Sequence, residues 1–174
     1  MNAADTKARS VALLLTTIFL ILAPGTVAGF VPWWIGRWHV HAAFIGFTAL
    51  RLVGCLLVAV GSAILIEAFL EFALRGIGTP APMRPPKHLV VTGTYRYVRN
   101  PMYVAVVSLI LGQGLIFGDA RVLMYGLCVW LCMNVFVFAY EEPALRRSFS
   151  DEYAAFCANV PRWIPRLTPW HESN

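Results

Sequence analysis

Charged residues in this chain fall into clusters separated by long apolar runs. No charge lies between Arg9 and Arg37, between Arg51 and Glu67, between Arg99 and Asp119, or between Arg121 and Glu141. An apolar run of about 20 residues is long enough to cross a hydrocarbon layer as a helix. The pattern therefore predicts four transmembrane helices, the first centred on residues 11–30. A basic start at Lys7 and Arg9 followed by small residues over 23–29 also fits a signal peptide, although the apolar core of such a peptide runs only about 7 to 15 residues.

The residues between the runs predict how each helix begins and ends. Pro24 and Gly25 lie inside the first span and predict a kink, which neighbouring helices can tolerate. Trp33, Trp34 and Trp38 cluster where that helix would leave the membrane, as an interfacial aromatic belt does. Glu67, Glu71 and Arg75 are four residues apart and share one helical face. Glu67 is the costly member, because an acid within the bilayer must face protein or a wet cavity. Pro80, Pro82, Pro85 and Pro86 then forbid a continuous helix over 76–100, and a loop of that length between helices is usually functional. Asn100-Pro101 is a cap followed by a first-turn proline, so the third helix should begin there. Gly118-Asp119 makes a short turn, and the fourth helix returns to Glu141 and Glu142. This antiparallel hairpin would bring the 76–100 loop and the acid pair to one membrane surface. Beyond Pro143, the residues Leu145, Phe149, Tyr153, Phe156 and Val160 recur at helical spacing and predict an amphipathic surface helix. The VPRWIPRLTPW tail reads as an irregular segment on the headgroup layer.

Composition and charge agree with a membrane protein and set its orientation. Of 174 residues, 59% are hydrophobic and 13% charged, whereas soluble domains carry roughly 25% charged residues. An ordinary soluble enzyme is excluded on that ground. Lys7, Arg9, Arg75, Arg84, Lys87, Arg96, Arg99, Arg146, Arg147, Arg162 and Arg166 fall on one side of the four spans, and Arg37, Arg51 and Arg121 on the other. The positive-inside rule then puts both termini and the long loop in the cytoplasm. The net charge of +5 is explained by basic segments beside anionic headgroups, and no nucleic-acid partner is expected. Cys55, Cys128, Cys132 and Cys157 form no CxxC pair, and His39 and His41 have no nearby carboxylate or thiol, so no metal centre is expected.

The expectation is one all-α integral membrane domain over 1–174. It comprises two helices within 1–75, a cytoplasmic cofactor-binding loop over 76–100, a helical hairpin over 101–140 and a C-terminal segment over 141–174 with its amphipathic helix. The loop collects Arg84, Lys87, His88, Arg96 and Arg99 beside Tyr95, Tyr97 and Tyr103. Arginines that fork carboxylates, acids that hold ammonium or ribose hydroxyls, and rings that face a sulfonium suit S-adenosylmethionine. By composition alone they would equally suit a lipid headgroup.

HLVVTGTYRYVRNPMY, followed across the hairpin by Glu141-Glu142, resembles the membrane methyltransferases grouped with isoprenylcysteine carboxyl methyltransferase and phosphatidylethanolamine N-methyltransferase. The likeness covers roughly residues 72–170, and the APGTVAGFVPWW stretch is similar to small bacterial members, which implies an inner-membrane location. The resemblance implies S-adenosylmethionine as cofactor, with His88, Leu89 and Val90 in its wall. Tyr95, Arg99, Asn100, Pro101 and Tyr103 would lie at its entrance, Glu141 and Glu142 on its polar end, and Gly76 and Gly78 close against it. Three positions depart from the family pattern: Thr94 replaces a proline, Asn100 a histidine and Ala105 a glycine. Asn100 keeps capping and hydrogen-bonding ability without an imidazole.

The acceptor implied is lipophilic, either a prenylcysteine-type carboxylate, which Arg99 or Arg96 would clamp, or a phospholipid amine, whose proton Glu142 or Glu67 would take. A small-thiol acceptor, or a non-enzymatic transporter or scaffold of the same fold, stays open at this point.

Overall fold

The computed structural model describes residue 14, residues 17–75, 89 and 91–171. The described residues are helical, with no strand among them. The main elements are α1 (Thr17–Gly36), α2 (Ala49–Arg75), α3 (Pro101–Phe117), α4 (Ala120–Phe136) and α5 (Glu142–Asn159). A π-turn, Val137–Glu141, makes α4 and α5 one continuous helical stretch, Ala120–Asn159. Among the described residues, three helices are long and apolar enough to cross a membrane: Thr17–Gly36, Ala49–Glu71 and a window within Ala120–Asn159. Helix α3 has 17 residues, about 25 Å at 1.5 Å per residue, which is at the lower limit for a span.

The chain divides into two compact units. One comprises Ile21–Leu65 and Met102–Asn134, and small residues set its helix spacing. A Cβ on Gly54 would lie 2.7 Å from the Gly112 carbonyl oxygen, and one on Gly61 would lie 3.0 Å from that of Ala105. Residue numbers rise on one helix as they fall on the other, so α2 and α3 run antiparallel with their backbones nearly touching. Gly114 against Leu123, and Gly126 against Leu111, repeat the device between α3 and α4. In lipid, where burying apolar side chains gives little drive, such close packing is a main source of helix association. The mid-helix glycines Gly112 and Gly114 therefore serve packing.

The kink expected at Pro24 takes the form of a π-turn at Thr26–Phe30. A π-turn interrupts the regular carbonyl pairing, and two carbonyls here find side-chain donors. The Gln113 amide donates to Ala28 O at 2.6 Å and the Tyr125 hydroxyl donates to Val27 O at 3.0 Å. Helix α1 ends at Arg37 in the left-handed conformation, with its guanidinium 4.6 Å over Trp33. Trp38 stacks on Phe117 and donates to Gln113 at 3.2 Å. The expected turn at Gly118-Asp119 is present. Gly118 has φ +68°, and Asp119 caps α4 by accepting from the Arg121 N–H at 2.9 Å.

The other unit comprises Met1–Leu20, Ile66–Pro101 and Val135–Asn174. Its core is Tyr153, Phe156 and Val160 on the apolar side of α5, packed by Leu89, Val91, Leu145, Phe149, Cys157 and Trp170. The stripe read as a membrane-facing surface is thus covered by the chain itself, by the 89–91 segment and the tail. Helix α5 departs from helical geometry at Ser150, where φ is 24° and ψ is −98°.

Candidate functional site

The site lies wholly within the second unit and is built on four segments: the end of α2, residues 91–101, the π-turn with the start of α5, and the tail from Val160. Pro143 explains the π-turn. Its ring would clash with the carbonyl four residues earlier in a regular α-helix and it offers no N–H, so the backbone widens by one residue just before it. An inserted residue shifts everything after it by about 100° around the axis. This sets the direction in which Glu142 points, and its side chain runs into protein.

Glu142 is only 6% exposed, and both of its oxygens are occupied. Arg162 forks it, Nε donating to Oε1 at 2.6 Å and Nη2 to Oε2 at 2.9 Å. Arg99 Nη1 donates to Oε1 at 3.0 Å and to the Cys157 sulfur at 2.8 Å. The hydrogen bond to Glu142 raises the Arg162 guanidinium above the ordinary arginine range. Arg99 Nε is buried with no hydrogen-bond partner among the described residues. A buried donor left unpaired costs free energy, so this atom marks a place where a ligand oxygen would be welcome.

The segment before Arg99 is held by two acids of α2. Thr92 Oγ1 donates to Glu71 Oε2 at 3.1 Å, and the Thr94 N–H donates to Glu67 Oε1 at 3.2 Å. Gly93 has φ +55°, and a Cβ there would run into Glu67 Oε1. A proline at position 94 would have no N–H to make this bond. Thr94 Oγ1 is itself buried and without a partner among the described residues. Tyr95 follows in the short 3₁₀ turn Gly93–Arg96. Burial, the charge of Glu141 and the charge of Glu67 all push its phenol well above the ordinary tyrosine range. It therefore presents a neutral hydroxyl beside two carboxylates.

The tail is stitched to residues 96–100. Arg99 N–H donates to Pro161 O at 2.9 Å, Arg166 N–H to Tyr97 O at 3.0 Å, and Trp170 N–H to Arg96 O at 3.0 Å. The Arg96 side chain returns a bond to Trp170 O at 2.8 Å, and the Asn100 amide donates to Arg162 O at 3.2 Å.

Among the residues expected from sequence, Arg99 and Glu142 meet directly. Asn100 is buried and reaches Glu142 through Arg162, Pro101 is the buried first residue of α3, and Leu89 packs on the Tyr153 core. Tyr95 lies within electrostatic reach of Glu141 and Glu67. Tyr103 belongs to the other compact unit. Gly76, Gly78, His88 and Val90 lie outside the described residues. Sequence reasoning did not select Arg162 or Cys157 for the site; the signal for Arg162 was a cation fixed between Pro161 and Trp163 in a tail with no periodicity. No cluster of metal-ligating residues occurs among the described residues.

A family model described as phospholipid methyltransferase matches residues 50–152, more than half of the chain. The chain is also similar to the protein-S-isoprenylcysteine O-methyltransferase of Schizosaccharomyces pombe, 34% identical over 89 residues, which is 50% of this chain and 37% of that protein. It thus spans well under two thirds of that relative's length. No solved structure matches it.

Proposed function

Because the chain belongs to the phospholipid methyltransferase family of membrane methyltransferases, we propose that it transfers the methyl group of S-adenosylmethionine to a lipophilic acceptor within a membrane. The observation that carries this reading is the buried Glu142 held between Arg99 and Arg162, beside the Tyr95 turn and its carboxylates.

These residues fit the methyl donor. Arg99, with a buried Nε lacking a partner among the described residues, suits a carboxylate. Glu67, Glu141 and the neutral Tyr95 hydroxyl suit a positive centre and ribose hydroxyls. When bound, S-adenosylmethionine would supply a sulfonium-activated methyl with its own leaving group. The protein's share of catalysis is then alignment and exclusion of water. Leu89 and Val91, packed on the α5 core, keep one wall dry. By the family likeness, His88 and Val90 would join Leu89 in the cofactor wall, Gly76 and Gly78 would approach the cofactor closely, and Pro101 and Tyr103 would line its entrance.

Glu142 has both oxygens engaged by guanidinium groups, which suits it to orienting Arg99. For an amine acceptor the proton would pass to Glu141 or Glu67. For a prenylcysteine-type carboxylate, the substrate type in the name of the fission yeast relative, Arg99 would steady the attacking oxygen. In this reading α3 completes four spans, and the basic loop, both termini and the site face the cytoplasm of a bacterial inner membrane.

The test is incubation of the full chain in lipid nanodiscs with methyl-labelled S-adenosylmethionine, offered native lipid extract, a prenylated N-acetylcysteine or a small thiol. Label in a base-labile ester supports the carboxylate acceptor, and label retained in a lipid headgroup supports the amine. A volatile labelled product redirects the reading to a thiol. No label in any fraction, with no saturable binding of the donor, refutes the proposal.

A further inference from the structure

The Arg99–Glu142 pair would by itself be electrically neutral, and Arg162 changes that. We infer that Arg162 is a positioning residue that takes up the charge of Glu142 and so leaves Arg99 able to receive a carboxylate. The inference rests on the functional reading above and concerns a residue beyond the stretch matched to the family, residues 50–152.

Three observations support it. First, Arg162 makes two of the three guanidinium bonds to Glu142, including the shortest, 2.6 Å from Nε to Oε1, while Arg99 makes one at 3.0 Å. A two-point fork fixes the carboxylate plane as a single contact does not. Second, one carboxylate between two guanidinium groups leaves the Arg99–Glu142–Arg162 cluster with one positive unit, at a carboxylate that is 6% exposed. Interactions there are far less screened than in water. Third, Arg162 is itself held in place. Its carbonyl accepts from the Asn100 amide at 3.2 Å, its neighbour Pro161 accepts from the Arg99 N–H at 2.9 Å, and its guanidinium lies 6.0 Å over the Phe138 ring. The segment that carries Arg99 therefore also locates the residue that releases it.

The carboxylate could belong to the methyl donor or to the acceptor, so the experiment uses matched pairs. Dissociation constants are measured with the full chain in nanodiscs for S-adenosylmethionine against its decarboxylated analogue, and for a prenylated N-acetylcysteine against its methyl ester. In the unaltered protein one pair should show a preference for the carboxylate member on the order of tenfold, the value of one charge-assisted hydrogen bond. Arg162→Gln should abolish that preference and leave the uncharged member's affinity within about twofold. Arg162→Lys, which keeps the charge without the fork, should recover part of it.

The double variant Arg162→Gln, Glu142→Gln should recover most of it, because Arg99 again carries an uncompensated charge. Arg166→Gln, which removes a tail cation bonded to Asn159 O rather than to Glu142, should behave as the unaltered protein. A preference that survives Arg162→Gln overturns the inference. So does a loss shared equally by charged and uncharged members with no return in the double variant, which is the signature of a merely structural role. If Arg162→Gln does not fold, the double variant decides, and absence of the preference there refutes the idea. Unaltered protein that binds S-adenosylmethionine without preference in either pair overturns this inference alone. Protein that binds no S-adenosylmethionine overturns the functional reading and this inference with it.

Discussion

Gly93→Ala tests whether Glu67 holds the turn that carries Tyr95. Gly93 sits at φ +55°, and a Cβ there would strike Glu67 Oε1, the atom that accepts the Thr94 N–H at 3.2 Å. Two costs follow. An L-residue in the left-handed region costs about 1–2 kcal/mol. Displacing the carboxylate then forfeits a hydrogen bond to a charged group, about 1.5–3 kcal/mol. Against these, alanine restricts the unfolded chain and returns about 0.4–1 kcal/mol. The net expectation is a loss of about 1.5–4.6 kcal/mol. The carboxylate lies at the end of a flexible side chain, so the steric part is relieved by movement and the lost bond remains the larger share. Thermal unfolding in nanodiscs, scanned with the turn's own proteolytic susceptibility, reads both the global and the local effect. In a Glu67→Ala background the added cost of Gly93→Ala should shrink to the left-handed penalty less the unfolded-chain gain, about 0–1.6 kcal/mol. Equal costs in the two backgrounds would show that Gly93 and Glu67 are not coupled and would refute the reasoning.

Thr94→Pro, which removes the N–H bonded to Glu67, should destabilise the turn while leaving the α5 core intact by hydrogen exchange. Gly54→Leu or Gly112→Leu should cost at least 1–3 kcal/mol, the usual range for overpacking, because backbone oxygen lies 2.7 and 2.8 Å from the respective Cβ positions; unchanged thermal stability in either would contradict the α2–α3 register. Tyr125→Phe removes the donor to Val27 O and should cost only about 0.6 kcal/mol, the average for a hydrogen bond between membrane helices. The Tyr95 phenol ionises above its unfolded value, so its contribution is complete below about pH 10 and declines as pH rises beyond that. Tyr95→Phe should flatten this alkaline slope in a pH series of unfolding midpoints.

The features legible in the sequence are those fixed by length and topology. The charge-free runs located α2, α3 and α4, and the turn at Gly118-Asp119 followed from an αL-permissive residue beside a capping acid. Arg99 and Glu142 are 43 residues apart, yet their meeting was foreseeable, because two arms of similar length joined by a short turn return the chain to its starting level. The first span, read as residues 11–30 with a kink at Pro24, runs on through the π-turn at Thr26–Phe30 to Gly36.

The features not legible share a physical cause: each depends on a backbone group whose availability only the folded geometry reveals. The Thr94 N–H matters because a proline would lack it, and its value becomes visible only when Glu67 lies 3.2 Å away. Arg162 belongs to a segment with no helical or strand period, so no face could be assigned to it. Backbone bonds from Arg99, Arg166 and Trp170 determine where it goes. The π-turn before Pro143 adds one residue to a helix whose apolar pattern reads through unbroken. That residue decides whether Glu142 turns toward lipid or into the guanidinium pair. A buried carboxylate is tolerable only when it is fully paired. The departure from ideal helix and the two arginines are therefore a single solution: the π-turn brings the acid inward, and Arg99 and Arg162 make its burial possible.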